Sequence, residues 1–245
     1  MAASPLDKLV RKLESITRLT PDEKQAVLSL PHTTKELHPY QDVVRDGDRP
    51  WQCCLVLEGF LCRYKQLPDG TRQIHSFHVP GDIPDLQSLH LSVMDHSLAA
   101  ITASKVALIP HDALRELTRA HPLLAEKFWR DTLIDAAIFR EWIVNVGSRE
   151  APSRIAHLIC EIFLKLETMG LTRGNSFDFP ITQSEIGDAT GLSTVHVNRS
   201  VQKLRAEGLI TLQKGRCTIH NWEGLAEAGM FDPTYLHLNG KSEAA

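Results

Sequence analysis

Apolar and polar positions change their period along this chain, and each change predicts a different kind of element. Residues 6 to 30 read as short helices, with Thr20-Pro21-Asp22-Glu23 as a start signal: a cap, a proline at the first helical position, then acids facing the helix dipole. From about Thr34 the texture shifts to short apolar stretches: Val43-Val44, Cys54 to Leu57, Phe60 to Tyr64, Ile74 to Val79, Ala99 to Ile101 and Val106 to Ile109. Turn signals such as Asp46-Gly47, Glu58-Gly59, Pro68-Asp69-Gly70 and Pro80-Gly81-Asp82 separate them. Many short strands at close spacing predict a small antiparallel barrel or jelly roll, with Asp69-Gly70 as its clearest hairpin tip.

After Pro110 the pattern is helical again, and Pro122 opens a segment reaching about Val146 with no Gly or Pro inside it. That predicts a helix of roughly 25 residues, roughly 37 Å long. Its apolar positions exceed the single face needed to cover one barrel, and the excess predicts a partner helix. A dimer interface is expected at Phe128, Leu133, Ala136, Phe139, Trp142 and Ile143, with Asn145-Val146-Gly147-Ser148 as the hinge that follows. From Ala151 to about Met169 a strongly amphipathic helix carries Ile155, Leu158, Ile159, Ile162, Phe163 and Leu166 on one side. Arg173-Gly174-Asn175 reads as a loop and Phe177 to Ile181 as a short strand.

Thr182-Gln183-Ser184-Glu185 is a capping box that starts a short helix. Thr190-Gly191-Leu192 is a tight turn, and Ser193 caps a second helix running to Glu207. Helix, three-residue turn, helix is the arrangement in which one helix crosses the DNA backbone while the second enters the major groove. Gly187 would let the two approach closely. At 100° per residue Val197, Val201 and Leu204 face the core, which leaves Val195, Arg199 and Gln202 outward, flanked by His196, Asn198 and Lys203. Such a face suits base edges: Arg199 to guanine O6 and N7, Asn198 or Gln202 to adenine or phosphate, Val195 against a thymine methyl. Thr182, Gln183, Ser193 and Thr194 complete the expected DNA-binding surface. Thr211 to Ile219 reads as a hairpin, a wing that would bring Lys214 and Arg216 to phosphates.

Composition narrows the class. A chain of 245 residues with 42% hydrophobic and 23% charged residues predicts two ordinary folded units. No apolar run is long enough to span a membrane and the N-terminus has no signal-peptide core, so the cytoplasm is expected. The net charge of -3 conceals an asymmetry. Nine basic and seven acidic residues between Arg149 and Arg216 give +2 there and leave -5 elsewhere. Cys53, Cys54, Cys62, Cys160 and Cys217 form no CxxC pair, so they read as small apolar residues, with Cys53 and Cys54 on opposite strand faces. No phosphate loop, GxSxG or zinc-protease motif points to an enzyme. His75, His78, His90 and His96 around the barrel leave a second reading open, a metal- or haem-binding sensor.

The order of barrel, long helix, hinge and winged helix-turn-helix resembles the Crp/Fnr family of bacterial regulators over nearly the whole chain, most specifically at Thr182 to Ile210. The Val195 to Arg199 stretch, VHVNR, looks like an alphaproteobacterial branch. The resemblance implies an α+β fold with a cyclic-nucleotide-binding-like sensor (residues 1–115), a long dimerisation helix (116–147), a winged helix-turn-helix (148–222) and a tail (223–245). It also implies a homodimer on a bent palindromic DNA site and contact with RNA polymerase. The effector pocket of the family would fall at Gly81, Asp82, Asp85, His96 and Ser97. There His96 stands in place of the arginine that holds a cyclic phosphate, so no cyclic AMP is expected as effector, and no cofactor. With no Cys before Cys53, an N-terminal iron-sulfur cluster is not expected either. Thr194 and Val195 depart from the Arg and Glu of cyclic-AMP-binding members, while Arg199 is retained.

Overall fold

The computed structural model describes residues 4–238. Two short helices, α1 (Asp7–Glu14) and α2 (Pro21–Leu28), precede the strands. Thr20 and Glu23 start the second helix with a reciprocal capping box. Seven strands follow: β1 (Thr33–Leu37), β2 (Asp42–Val44), β3 (Gln52–Glu58), β4 (Leu61–Gln66), β5 (Arg72–His78), β6 (Ser97–Ala100) and β7 (Ser104–Pro110). They form two antiparallel sheets, ordered β1-β7-β3 and β2-β6-β4-β5. The sheets share an apolar interior of Leu37, Val44, Cys54, Val56, Leu61, Met94, Leu98, Ala100 and Val106, so the unit is a two-sheet roll.

Strand β3 is buried on both sides. Cys54 and Val56 face the roll, whereas Cys53, Leu55 and Leu57 join a second cluster with Leu9, Leu13, Leu114, Leu117, Leu124 and Phe128 of the surrounding helices. Double burial explains why its sequence is a continuous apolar run. Strand β1, by contrast, carries only one buried residue, Leu37, and pairs along the sheet edge with β7. It leaves almost no hydrophobic signal, and the sequence pattern misses it.

Helix α3 (His111–Ala120) leads into α4 (Pro122–Ser148). The expected hinge at residues 145–148 is corrected: these residues are helical, and the break comes at Arg149 and Glu150, both extended. Asn145 explains the continuation, since its buried side chain donates to the Arg154 carbonyl at 3.3 Å and ties the end of α4 to the next helix. Residue 115, expected as a domain boundary, lies inside α3.

Helix α5 (Ala151–Thr168) begins the C-terminal unit, followed by β8 (Thr172–Arg173), β9 (Ser176–Asp178), α6 (Gln183–Thr190), α7 (Thr194–Ala206), β10 (Ile210–Gln213), β11 (Arg216–Ile219) and α8 (Trp222–Ala228). Its sheet runs β10-β11-β9-β8. The tail expected at 223–245 is corrected as well. Helix α8 packs on α5, and Phe231, Tyr235, Leu236 and Leu238 belong to or lie against the same core; residues 239–245 lie outside the described residues.

Every residue of α5 from Ile155 to Leu166 is buried, so this stretch has no solvent face. His157, Glu161 and Lys165, one turn apart, are satisfied inside instead. Glu161 accepts from the Trp142 indole at 3.0 Å and from the Tyr235 hydroxyl at 2.8 Å. Lys165 donates to the Phe77 carbonyl at 2.8 Å. Buried polar groups persist only when so paired.

Candidate nucleic-acid interface

The turn between α6 and α7 is built from local chemistry. The Thr182 hydroxyl accepts from the Glu185 amide at 3.2 Å, and the Glu185 carboxylate accepts from the Thr182 amide at 2.7 Å. Gly191 ends α6 with φ +67°, a left-handed conformation that costs glycine nothing. A Cβ on Gly187 would lie 2.5 Å from the Leu192 carbonyl oxygen, so Gly187 admits the turn itself as well as the close crossing. Ser193 caps α7 by accepting from the His196 amide.

Val197, Ser200, Val201 and Leu204 anchor α7 in the core. Thr194, Val195, His196, Asn198, Arg199, Gln202 and Lys203 are all exposed, Val195 at 58%. A single exposed apolar side chain is ordinary on a protein surface, so Val195 gains meaning from its place one turn from Arg199 on the outward face of α7. Thr182, Gln183 and Ser193 are exposed at the start of the two helices, and the Asn198 amide lies 3.5 Å from the Gln183 side-chain oxygen. The first helix and the reading helix thus present one continuous polar face.

The wing turns on Lys214 and Gly215, with φ +50° and +73°, as a two-residue hairpin requires. Both tip residues are exposed, and together with Leu57 to Phe60 of the roll they line a cleft of about 450 Å³. Arg216 is engaged by Asp178 at 2.9 Å. Lys214 is therefore the freer of the two wing cations.

The expected effector-pocket residues do not converge. Between the roll and α4 lies a cavity of about 30 Å³, room for about one water. Asp82 is the sole one of the five that lines it. Burial by itself would raise the Asp82 carboxyl, but Lys165 at 3.1 Å and Lys12 at 3.2 Å hold it well below the ordinary range. Asp85 points away: it accepts from the Cys54 amide at 2.8 Å, and burial pushes it up to about 7. His96 is lowered by burial and by Arg63, and its Nδ1 lies 2.6 Å from the Asp95 carboxylate. Ser97 accepts from the Asp46 amide. Gly81, at φ +102°, is pressed against Met169 and the backbone of α1.

Arg63 lines this cavity and is held there from two sides. Its Nε donates to the Pro84 carbonyl at 2.6 Å, its guanidinium pairs with Asp135 of α4 at 2.6 Å, and it lies 5.3 Å from the centre of the Phe139 ring. The sequence held one signal for it, since Arg63 follows the inward-facing Leu61 by two residues on a strand. Of the four barrel histidines, His78 lines the cavity; among the described residues no three His, Cys, Asp or Glu side chains gather as a metal site.

The expected dimer residues divide. Leu133 and Ile143 are 53% and 73% exposed, and Ala136 and Phe139 are half-buried. Phe128 and Trp142 are corrected: both are buried within the protomer, Phe128 under α3 and Trp142 against Phe77 and Glu161. Trp129, 66% exposed, escaped the sequence reading.

A nucleotide-binding-type roll joined by a long helix to a winged helix-turn-helix defines a DNA-binding regulator. Residues 34–121 match the cyclic nucleotide-binding domain and residues 153–228 the Crp-like helix-turn-helix domain, and the chain belongs to the Crp/Fnr family of transcription regulators. It is 28% identical over 193 residues to the nitrogen fixation regulation protein FixK of Rhizobium meliloti, covering 78% of this chain and 84% of that one. With the transcriptional activator protein FnrL of Cereibacter sphaeroides it shares 26% over 185 residues, 73% of each chain. The solved structure of FixK2 from Bradyrhizobium japonicum superposes with a TM-score of 0.72 at 22% identity, over 81% of this chain and 98% of that one. No described helix is long and apolar enough to cross a membrane.

Proposed function

We propose that this protein is a cytoplasmic homodimer that reads a palindromic DNA site through α7, grips phosphates with Lys214, and contacts RNA polymerase without needing cyclic AMP. The exposed Val195 beside Arg199 on an otherwise polar helix face carries the reading, because a guanidinium matches the guanine edge and an apolar group beside it the thymine methyl. Its relatives FixK and FnrL are named as a regulator and an activator, which supports action on transcription.

Dimerisation is supported by a second observation. Trp129, Leu133, Ala136, Arg140 and Ile143 recur at alternating spacings of four and three on the outward side of α4, the repeat of a two-helix seam. Against cyclic AMP stands the cavity: about 30 Å³ leaves no room for a nucleotide while Arg63 bridges Pro84 and Asp135.

The test is a salt titration of DNA binding, with genomic fragments retained by the protein compared with unrelated DNA. Lys214→Ala is expected to weaken both and to flatten the slope of log affinity against log salt by about one unit. An unchanged slope removes the phosphate contact. Equal affinity of the wild type for all fragments removes the reading of sequence.

A further inference from the structure

The C-terminal unit does not hang freely from the end of α4. Phe77, Val79, Cys62 and Ile74 of the roll share one buried cluster with Ile155, Ile159 and Ile162 of α5 and with Ile186 and Ala189 of α6. Two polar clamps fasten this contact. At α5, Lys165 reaches Asp82 and the Phe77 carbonyl. At α6, Arg72 sets both Nε and a terminal nitrogen 2.8 Å from one carboxylate oxygen of Asp188. Beside it the Gln73 amide donates to the Ala189 carbonyl at 3.4 Å. Arg72 is itself braced over the Tyr64 ring at 5.8 Å, and Asp188 stands three residues before Gly191.

We infer that Arg72 and Asp188 are positioning residues which fix the angle of the reading helix against the roll, and through it the spacing between half-sites that the dimer accepts. The inference rests on the function proposed above. A rigid body pinned at one ion pair can pivot about it; pinned at Asp82 and again at Asp188, with an apolar core between, it has one orientation. In a dimer joined along α4, the rolls are fixed relative to each other. Any swivel of α6 and α7 on the roll then changes the distance between two reading helices, and DNA tolerates that distance only near one helical turn, about 34–36 Å. The clamp supplies this order in advance of binding, so the ordering cost does not fall on the DNA complex.

The full-length protein carrying Arg72→Ala or Asp188→Ala tests the idea on a palindrome selected by the wild type, on the same palindrome with its spacer changed by one base pair, and on a single half-site. Both side chains are partly exposed, and the charge exchange of Arg72→Asp with Asp188→Arg serves as the restoring variant. The clamp predicts about tenfold weaker binding to the native spacing in each single variant, reduced discrimination against the altered spacer, unchanged half-site affinity, and recovery in the exchange. Wild-type spacing discrimination in both single variants overturns it. Hydrogen exchange on the free protein separates this from failure of the DNA reading. The clamp predicts faster exchange at residues 72–78 and 183–190 together in each single variant; acceleration confined to the substituted segment overturns it even when no DNA is bound.

Discussion

Val195 and Arg199 owe their outward direction to other residues: Gly187 and Gly191, which bend the chain, and Val197, Val201 and Leu204, which lock α7 in place. This much is legible in the sequence, because capping, turn and 3.6-residue periodicity are all local. Charge burial is not. His78 and His157 are pushed down to about 4, chiefly by burial, with Arg63 facing the first and Arg149 the second. Between about pH 4 and 6.5 the unfolded chain binds protons at these positions that the folded chain does not, so each contributes stability that grows as pH rises through that window. Asp85, raised to about 7 by burial, works in the opposite sense: the folded chain binds the extra proton, and stability falls as pH rises from about 4 to 7. Asp85→Asn keeps an acceptor for the Cys54 amide while removing the titration. The variant is expected to gain more stability than the wild type on going from pH 5 to pH 7.5, read from urea midpoints; an equal gain contradicts a buried protonated Asp85.

The long helix shows how far periodicity can be trusted at the scale of one element. Counting apolar positions on α4 correctly predicts more than one apolar face, yet it does not say which face meets which neighbour. Phe128 and Trp142 go inward because α3, Phe77 and Glu161 lie there, and those partners come from elsewhere in the chain. Trp129, Leu133 and Ile143 are what remains outside. Ile143→Asp is accordingly expected to halve the mass seen by sedimentation at micromolar concentration while leaving the thermal midpoint of the protomer nearly unchanged. Trp142→Ala should instead destabilise the protomer by about 3–5 kcal/mol, because it opens a cavity and leaves Glu161 short of a donor. A dimer that survives Ile143→Asp contradicts the seam on this face. Helix α5 carries the same lesson: His157, Glu161 and Lys165 have the spacing of a solvent face and are buried nonetheless.

At the scale of the whole molecule, the two units and their order are readable from sequence, whereas their contact is not. Arg72 and Asp188 are 116 residues apart, and nothing local marks them as partners. The same holds for Arg63 and Asp135, which pair across the small cavity between roll and α4. A nucleotide-binding-type roll, joined through a buried apolar interface to the helix-turn-helix unit, leaves the outward face of α7 exposed.

Selection of binding sites from a random DNA pool, with the wild type and Arg199→Ala sequenced in parallel, tests that surface most directly. The wild type should enrich a two-fold symmetric motif, and Arg199→Ala should lose preference at one base pair in each half, at a cost of about 1–3 kcal/mol per contact. Identical motifs from the two proteins, or no motif from the wild type, would contradict base reading by α7.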